Sequence, residues 1–120
     1  MNVLKKVSKE RNNILFNISF VLLTLVAVVL FYKNIMLTTF IVGIIAIIGL
    51  IKWRSVLTLV LFILGGLGGT MSEIFAIYYG AWNYSFANFF DIPIWLFIVW
   101  GNTVAFLYQT GKEFRKFGLK

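Results

Sequence analysis

Apolar positions in this chain form long uninterrupted runs, with neither the alternation of a strand nor the single stripe of a surface helix. Four runs, at residues 14–32, 35–51, 55–79 and 92–110, are rich in Leu, Ile, Val and Phe. Each is close to the roughly 20 apolar residues a helix needs to cross the hydrocarbon core of a bilayer. In hydrocarbon, backbone polar groups must be satisfied within the segment, so runs of this kind form helices. The pattern predicts an all-α, polytopic membrane protein with four transmembrane helices in one domain, residues 1–120, with basic tails at 1–13 and 111–120. The first run has a basic start, but no small-x-small cleavage site follows it, so it reads as a retained helix and not a signal peptide.

The links refine this picture. Lys33-Asn34 and Lys52-Trp53-Arg54 are short and predict tight antiparallel pairs. The third link, from Gly80 to Asp91, is longer and carries Trp82 and Tyr84, residue types that favour the headgroup zone, so an ordered interfacial loop is expected there.

Charge then orients the bundle. Charged residues are 12% of the chain, against about 25% in an average soluble domain. Of the 11 Lys and Arg residues, all but Lys33 fall in the two tails or in the Lys52–Arg54 link. Basic residues concentrate in cytoplasmic segments, so the expected topology has both termini cytoplasmic in a multi-pass cell-membrane protein. Basic clusters of this kind also contact membrane lipids; tails this short lack the core of a nucleic-acid-binding surface, and no nucleic-acid partner is expected. The chain has no Cys and no His. That excludes disulfides, Cys/His zinc sites and imidazole proton transfer. No cofactor and no metal are expected.

Few residues remain to carry chemistry. Glu73 is an ionisable group inside the third run, and such groups face the bundle interior and usually have a task; it is the candidate catalytic acid. Gly66, Gly69, Thr70, Glu73, Ala76 and Gly80 follow three- and four-residue spacing and form a stripe of small residues. Gly65, Gly66 and Gly69 are expected to pack a neighbouring helix closely, with Gly65 and Gly69 forming a GxxxG pair. In the fourth run Trp95, Asn102 and Gln109 recur every seven residues on one face, and Trp100 lies on another. Asn102 is expected to bond across helices and to share a pocket wall with Glu73. Asp91 reads as a solvated cap of the fourth helix.

The residues from Glu73 to Trp100 read E-x6-G-x-W-x-Y, then Ile92-Pro93-Ile94-Trp95, then Trp100. This stretch resembles the small multi-helix membrane proteins of carotenoid biosynthesis, the lycopene cyclase domain family and the carotenoid hydratases. There an intramembrane acid precedes a G-x-W/Y-x-Y interfacial loop, and the next helix opens with Ile-Pro or Val-Pro. The resemblance maps the acid to Glu73, the loop to Gly80, Trp82 and Tyr84, and the helix opening to Pro93. The cyclases carry acidic residues directly after that proline, where this chain has Ile94 and Trp95. The resemblance therefore implies a scaffold that binds an isoprenoid or another lipid.

Together these residues predict an outward-opening site around Glu73, with Trp82, Tyr84, Trp95, Trp100 and Asn102 as ligand-binding walls for a hydrophobic small molecule. Two alternatives stand beside it. One is a proton-coupled small transporter acting as a homo-oligomer. The other is an accessory subunit that docks a larger membrane partner through its glycine stripe.

Overall fold

The computed structural model describes residues 3–119; Met1, Asn2 and Lys120, at the ends of the two expected tails, lie outside the described residues. Four helices follow one another: α1 (Val3–Phe31), α2 (Ile35–Trp53), α3 (Val56–Tyr78) and α4 (Leu96–Lys116). Among the described residues there is no strand, only an isolated bridge between Phe89 and Ile92. The N-terminal half of α1 and the last turns of α4 lie near the end of α2, where the Phe16 ring meets Trp53, and the α1–α2 turn meets the α3–α4 loop at the opposite end, where the Tyr32 and Phe86 rings touch.

Local chemistry sets the helix ends. Asn34 caps α2, its side-chain oxygen accepting from the Leu37 amide at 3.1 Å, and Ser55 caps α3 by accepting from the Thr58 amide at 3.1 Å. Two bonds close α3: Gly80 donates to the Ile77 carbonyl and Ala81 to the Ala76 carbonyl, each at 2.9 Å. This double closure needs a left-handed residue at its centre, and Gly80, at φ 83°, is that residue.

Two helices depart from the expected bounds. α1 begins at Val3, not at 14, because the Lys, Glu and Arg residues of the supposed tail are good helix formers. Twenty-nine residues at about 1.5 Å each give about 44 Å, well beyond the ~30 Å hydrocarbon core. α4 begins at Leu96, not at 92, because Asn88 and Phe89 both donate to the Ile92 carbonyl and hold that residue in the loop. It then continues past 110 to Lys116, since Gly111 has open space around it and Glu113 packs against α1. Asp91 does not cap α4; it sits at the tip of a two-residue turn, and Trp95 holds the cap position without a side-chain bond.

The polarity of the bundle is inverted relative to a water-soluble protein. Thr24, Thr38, Thr58, Thr70 and Asn102 are no more than 1% exposed, whereas Val29, Phe40 and Leu23 are 70%, 67% and 57% exposed. Interhelical bonds join the inner polar groups. Trp53 Nε1 donates to Asn17 Oδ1 at 3.0 Å, Asn102 Nδ2 to Thr24 Oγ1 at 3.2 Å, and Gln109 Nε2 to Thr58 Oγ1 at 2.6 Å. Three helices, α1, α2 and α3, are long and apolar enough to cross a membrane. α4 is the most polar, and it packs against each of the other three, most extensively against α3, so its polar groups meet protein.

Glycine makes the α3–α4 contact close. A Cβ on Gly66 would stand 2.7 Å from the Phe97 carbonyl oxygen, one on Gly65 2.4 Å from Val104, and one on Gly101 2.6 Å from the Phe62 ring. Gly68, on the other side of α3, has nothing within 4 Å. Backbone cannot yield as a side chain can, so Gly66→Ala is expected to destabilise by about 1–3 kcal/mol. Gly68→Ala is expected to be neutral or to stabilise by up to about 1 kcal/mol. Thermal denaturation of both variants in one detergent checks this; equal melting temperatures would contradict the packing.

Candidate functional site at the loop end

The site is built where the C-terminal turns of α3 meet the loop and the first turns of α4. Glu73, half-buried on α3, has both carboxylate oxygens engaged: Oε1 accepts from the Tyr84 hydroxyl at 2.5 Å, and Oε2 accepts from Trp100 Nε1 at 2.5 Å. The donors come from the loop and from α4, so one side chain ties three segments together. Glu73 forms no ion pair among the described residues. Both donors are neutral groups, and each carboxyl oxygen of Glu73 faces a donor of a neighbouring segment.

Trp100 reaches Glu73 because α3 has no side chain beneath its ring. A Cβ on Gly69 would lie 2.1 Å from Trp100 Cδ2. Gly69 and Glu73 are four residues apart on one face, so the indole lies across the glycine and delivers its N–H to the carboxylate one turn later. Tyr84 is braced in turn by Trp95, edge to face at 6.3 Å between ring centres. Trp95 is buried, and its Nε1 has no partner among the described residues.

Loop geometry sets the rest. Phe89 and Ile92 pair across a turn whose central residues, Phe90 and Asp91, have φ of 45° and 64°. Asn88 stiffens this turn by accepting from the Ile94 amide at 3.0 Å, and Ile92 is fully buried beneath it. On one side of the loop lies a cleft of about 300 Å³ lined by Trp82, Asn83, Tyr84 and Asp91. On the other side lies a groove of about 610 Å³ whose walls include Met71, Phe75, Tyr78, Phe90 and Phe97.

The structure thus brings Glu73, Tyr84 and Trp100 into direct contact, adds Trp95 behind Tyr84, and sets Trp82 on the rim of the cleft. Asn102 is elsewhere: it bonds to Thr24 of α1. Two residues on from Trp100 is about 200° around the helix, which turns Asn102 away from α3. Gly65 and Gly66 touch α4 without reaching the carboxylate. The apolar groove was not evident from sequence, since its residues are individually ordinary lipid-facing side chains. Its signal in the sequence was the adjacent Phe89-Phe90 pair in a loop that also carries Trp82, Tyr84 and Phe86.

No family model matches the chain, and no curated protein or solved structure matches it. What defines its class is physical: three helices long and apolar enough to span, around a polar interior, point to a small all-helical membrane protein.

Burial first, and then the hydrogen bond to Glu73 and its charge, raise the Tyr84 hydroxyl above the ordinary 10.0. A folded-state value above the unfolded one means that the folded protein holds this proton more tightly. The stability it contributes is complete below about pH 10 and falls as pH rises beyond that. Tyr84→Phe is therefore expected to lower stability near neutral pH and to flatten its decline above about pH 10. Denaturation in detergent as a function of pH checks this; identical alkaline slopes for the two proteins would contradict it.

Proposed function

We propose that the chain crosses the bilayer four times with both termini cytoplasmic, and that its loop end binds an amphipathic lipid of the isoprenoid class suggested by the sequence resemblance. The observation that carries this reading is the pairing of a polar cleft and an apolar groove across one stiff turn. Phe90 faces the groove and Asp91, the next residue, faces the cleft. A molecule with a polar head and an apolar chain matches both surfaces at once.

Phe90 strengthens the reading. A bulky residue at positive φ costs on the order of 1–3 kcal/mol, yet the ring is 73% exposed and rests edge to face against Phe89. A ligand chain in the groove would cover it. Glu73 serves as the acceptor that fixes Tyr84 and Trp100 as walls; proton transfer from it would first require one of those bonds to open.

The fourth crossing is supported by the length of α4, 21 residues or about 32 Å, and by the inward placement of Asn102 and Gln109. The distribution of basic residues supports the orientation. The chain has no cysteine, so single cysteines report topology cleanly. Ser85→Cys is expected to react with an impermeant maleimide from outside the cell, and Gly118→Cys only after permeabilisation; the reverse pattern would refute the orientation. Lipid extracted from the purified protein is expected to contain a specific amphipathic species. Phe75→Ala with Phe90→Gly should reduce it by about a hundredfold or more, the loss of about 1.5–3 kcal/mol of contact for each of the two rings. Unchanged lipid content in that variant would sink the lipid-binding reading.

A further inference from the structure

A second cavity, of about 330 Å³, lies at the opposite end of the bundle, among the N-terminal half of α1, the end of α2 and the last turns of α4. Its volume is at the lower end of the ~300–1,000 Å³ range of small-molecule sites. Lys9, Lys52, Lys112 and Lys116 surround it, and Glu113 is its one acid. Among the described residues only Lys116 is ion-paired, to Glu113 Oε1 at 3.1 Å. Lys52 is held over the Phe16 ring at 5.7 Å and Lys112 over the Tyr108 ring at 5.5 Å, so two of the cations are braced at the rim. The floor is fixed by the bond from Trp53 to Asn17.

Glu113 specifies more than a positive surface. It is 5% exposed; its Oε1 also accepts from Asn13 Nδ2 at 3.2 Å, while its Oε2 is buried with no partner among the described residues. A buried carboxylate oxygen without a donor is costly. Among the described residues, the cavity wall therefore offers three cations with no ion-pair partner and one acceptor that lacks a donor.

We propose that this cavity binds a phosphate ester that also carries a hydrogen-bond donor. The phosphate lies against Lys9, Lys52 and Lys112, and a hydroxyl or ammonium group of the same molecule donates to Glu113 Oε2. The same chemistry is presented by a phospholipid headgroup and by a soluble phosphate ester. The site is separate from the loop-end groove and does not depend on what that groove binds.

The test uses the full chain in phosphatidylcholine nanodiscs, with phosphatidylglycerol or phosphatidylmethanol added. The two carry equal charge, and only the first has headgroup donors. Retained lipid is counted by native mass spectrometry, and glycerol 3-phosphate is titrated separately by calorimetry. The expected result is saturable retention of phosphatidylglycerol over phosphatidylmethanol, weakened about tenfold or more in Lys9→Gln/Lys112→Gln and unchanged in Lys5→Gln/Lys6→Gln. Lys9 and Lys112 are exposed, so these variants are expected to fold, and monodispersity in detergent verifies it. Saturable binding of glycerol 3-phosphate that is lost in the same variant identifies a soluble ester as the source; lipid retention without it identifies the headgroup. Three outcomes would overturn the site: no saturation by either ligand, equal retention of the two lipids without saturable binding of glycerol 3-phosphate, or equal loss in the Lys5/Lys6 variant.

Discussion

The loop end of this protein depends on how closely α3 and α4 approach. Between helices in lipid there is no hydrophobic driving force, since the solvent is as apolar as the side chains, and association relies on packing and polar contacts. Gly65, Gly66 and Gly101 remove the side chains that would hold the two helices apart. Gly69 then does something more specific. The space above it is where the Trp100 ring lies, and that ring delivers its N–H to Glu73. One absent Cβ therefore links the packing of the bundle to the geometry of its candidate site.

The same constraint explains why the most polar helix is the central one. α4 carries Asn102, Gln109 and Glu113 on its buried side, groups that would be expensive against hydrocarbon. Surrounded by α1, α2 and α3, they bond to Thr24, Thr58, Asn13 and Lys116 instead. Beyond the basic first turns of α1, the three outer helices can then be mostly apolar toward their surroundings. Polar bonds between membrane helices contribute only about 0.6–2 kcal/mol each, so their main effect here is to set rotation and register.

The two ends of the bundle are chemically opposed. At the loop end a single carboxylate accepts from two neutral aromatic donors, beside an apolar groove. At the end that carries the termini, four lysines ring a polar cavity with one buried acid. An acid whose two oxygens accept from Tyr84 and Trp100 is enclosed in a small aromatic cluster. An acid paired with one lysine and left one donor short, among further cations, presents a mixed surface to a ligand. This contrast follows from where the chain crosses between helices, because the basic residues sit on the short link and the extended helix ends and the aromatic residues sit on the long loop.

By itself, the sequence determined the helical class and the positions of α2 and α3 to within about two residues at each end. These depend on local pattern, since continuous apolar runs broken by Lys33-Asn34 and Lys52-Trp53-Arg54 mark where each helix begins and ends. The ends of α1 and α4 were less legible, because charged residues past the apolar run satisfy a helix as readily as a disordered tail, and the contact between Asn13 and Glu113 that joins the two helices there is tertiary. Which α4 residue meets Glu73 was decided by tertiary structure alone. Trp100 and Asn102 are both capable donors two positions apart, and the rotation of α4 against the glycines of α3 turns one toward the carboxylate and the other toward α1. Periodicity records which residues share a face; it does not record which neighbour that face meets, because that is set by the summed packing of all four helices.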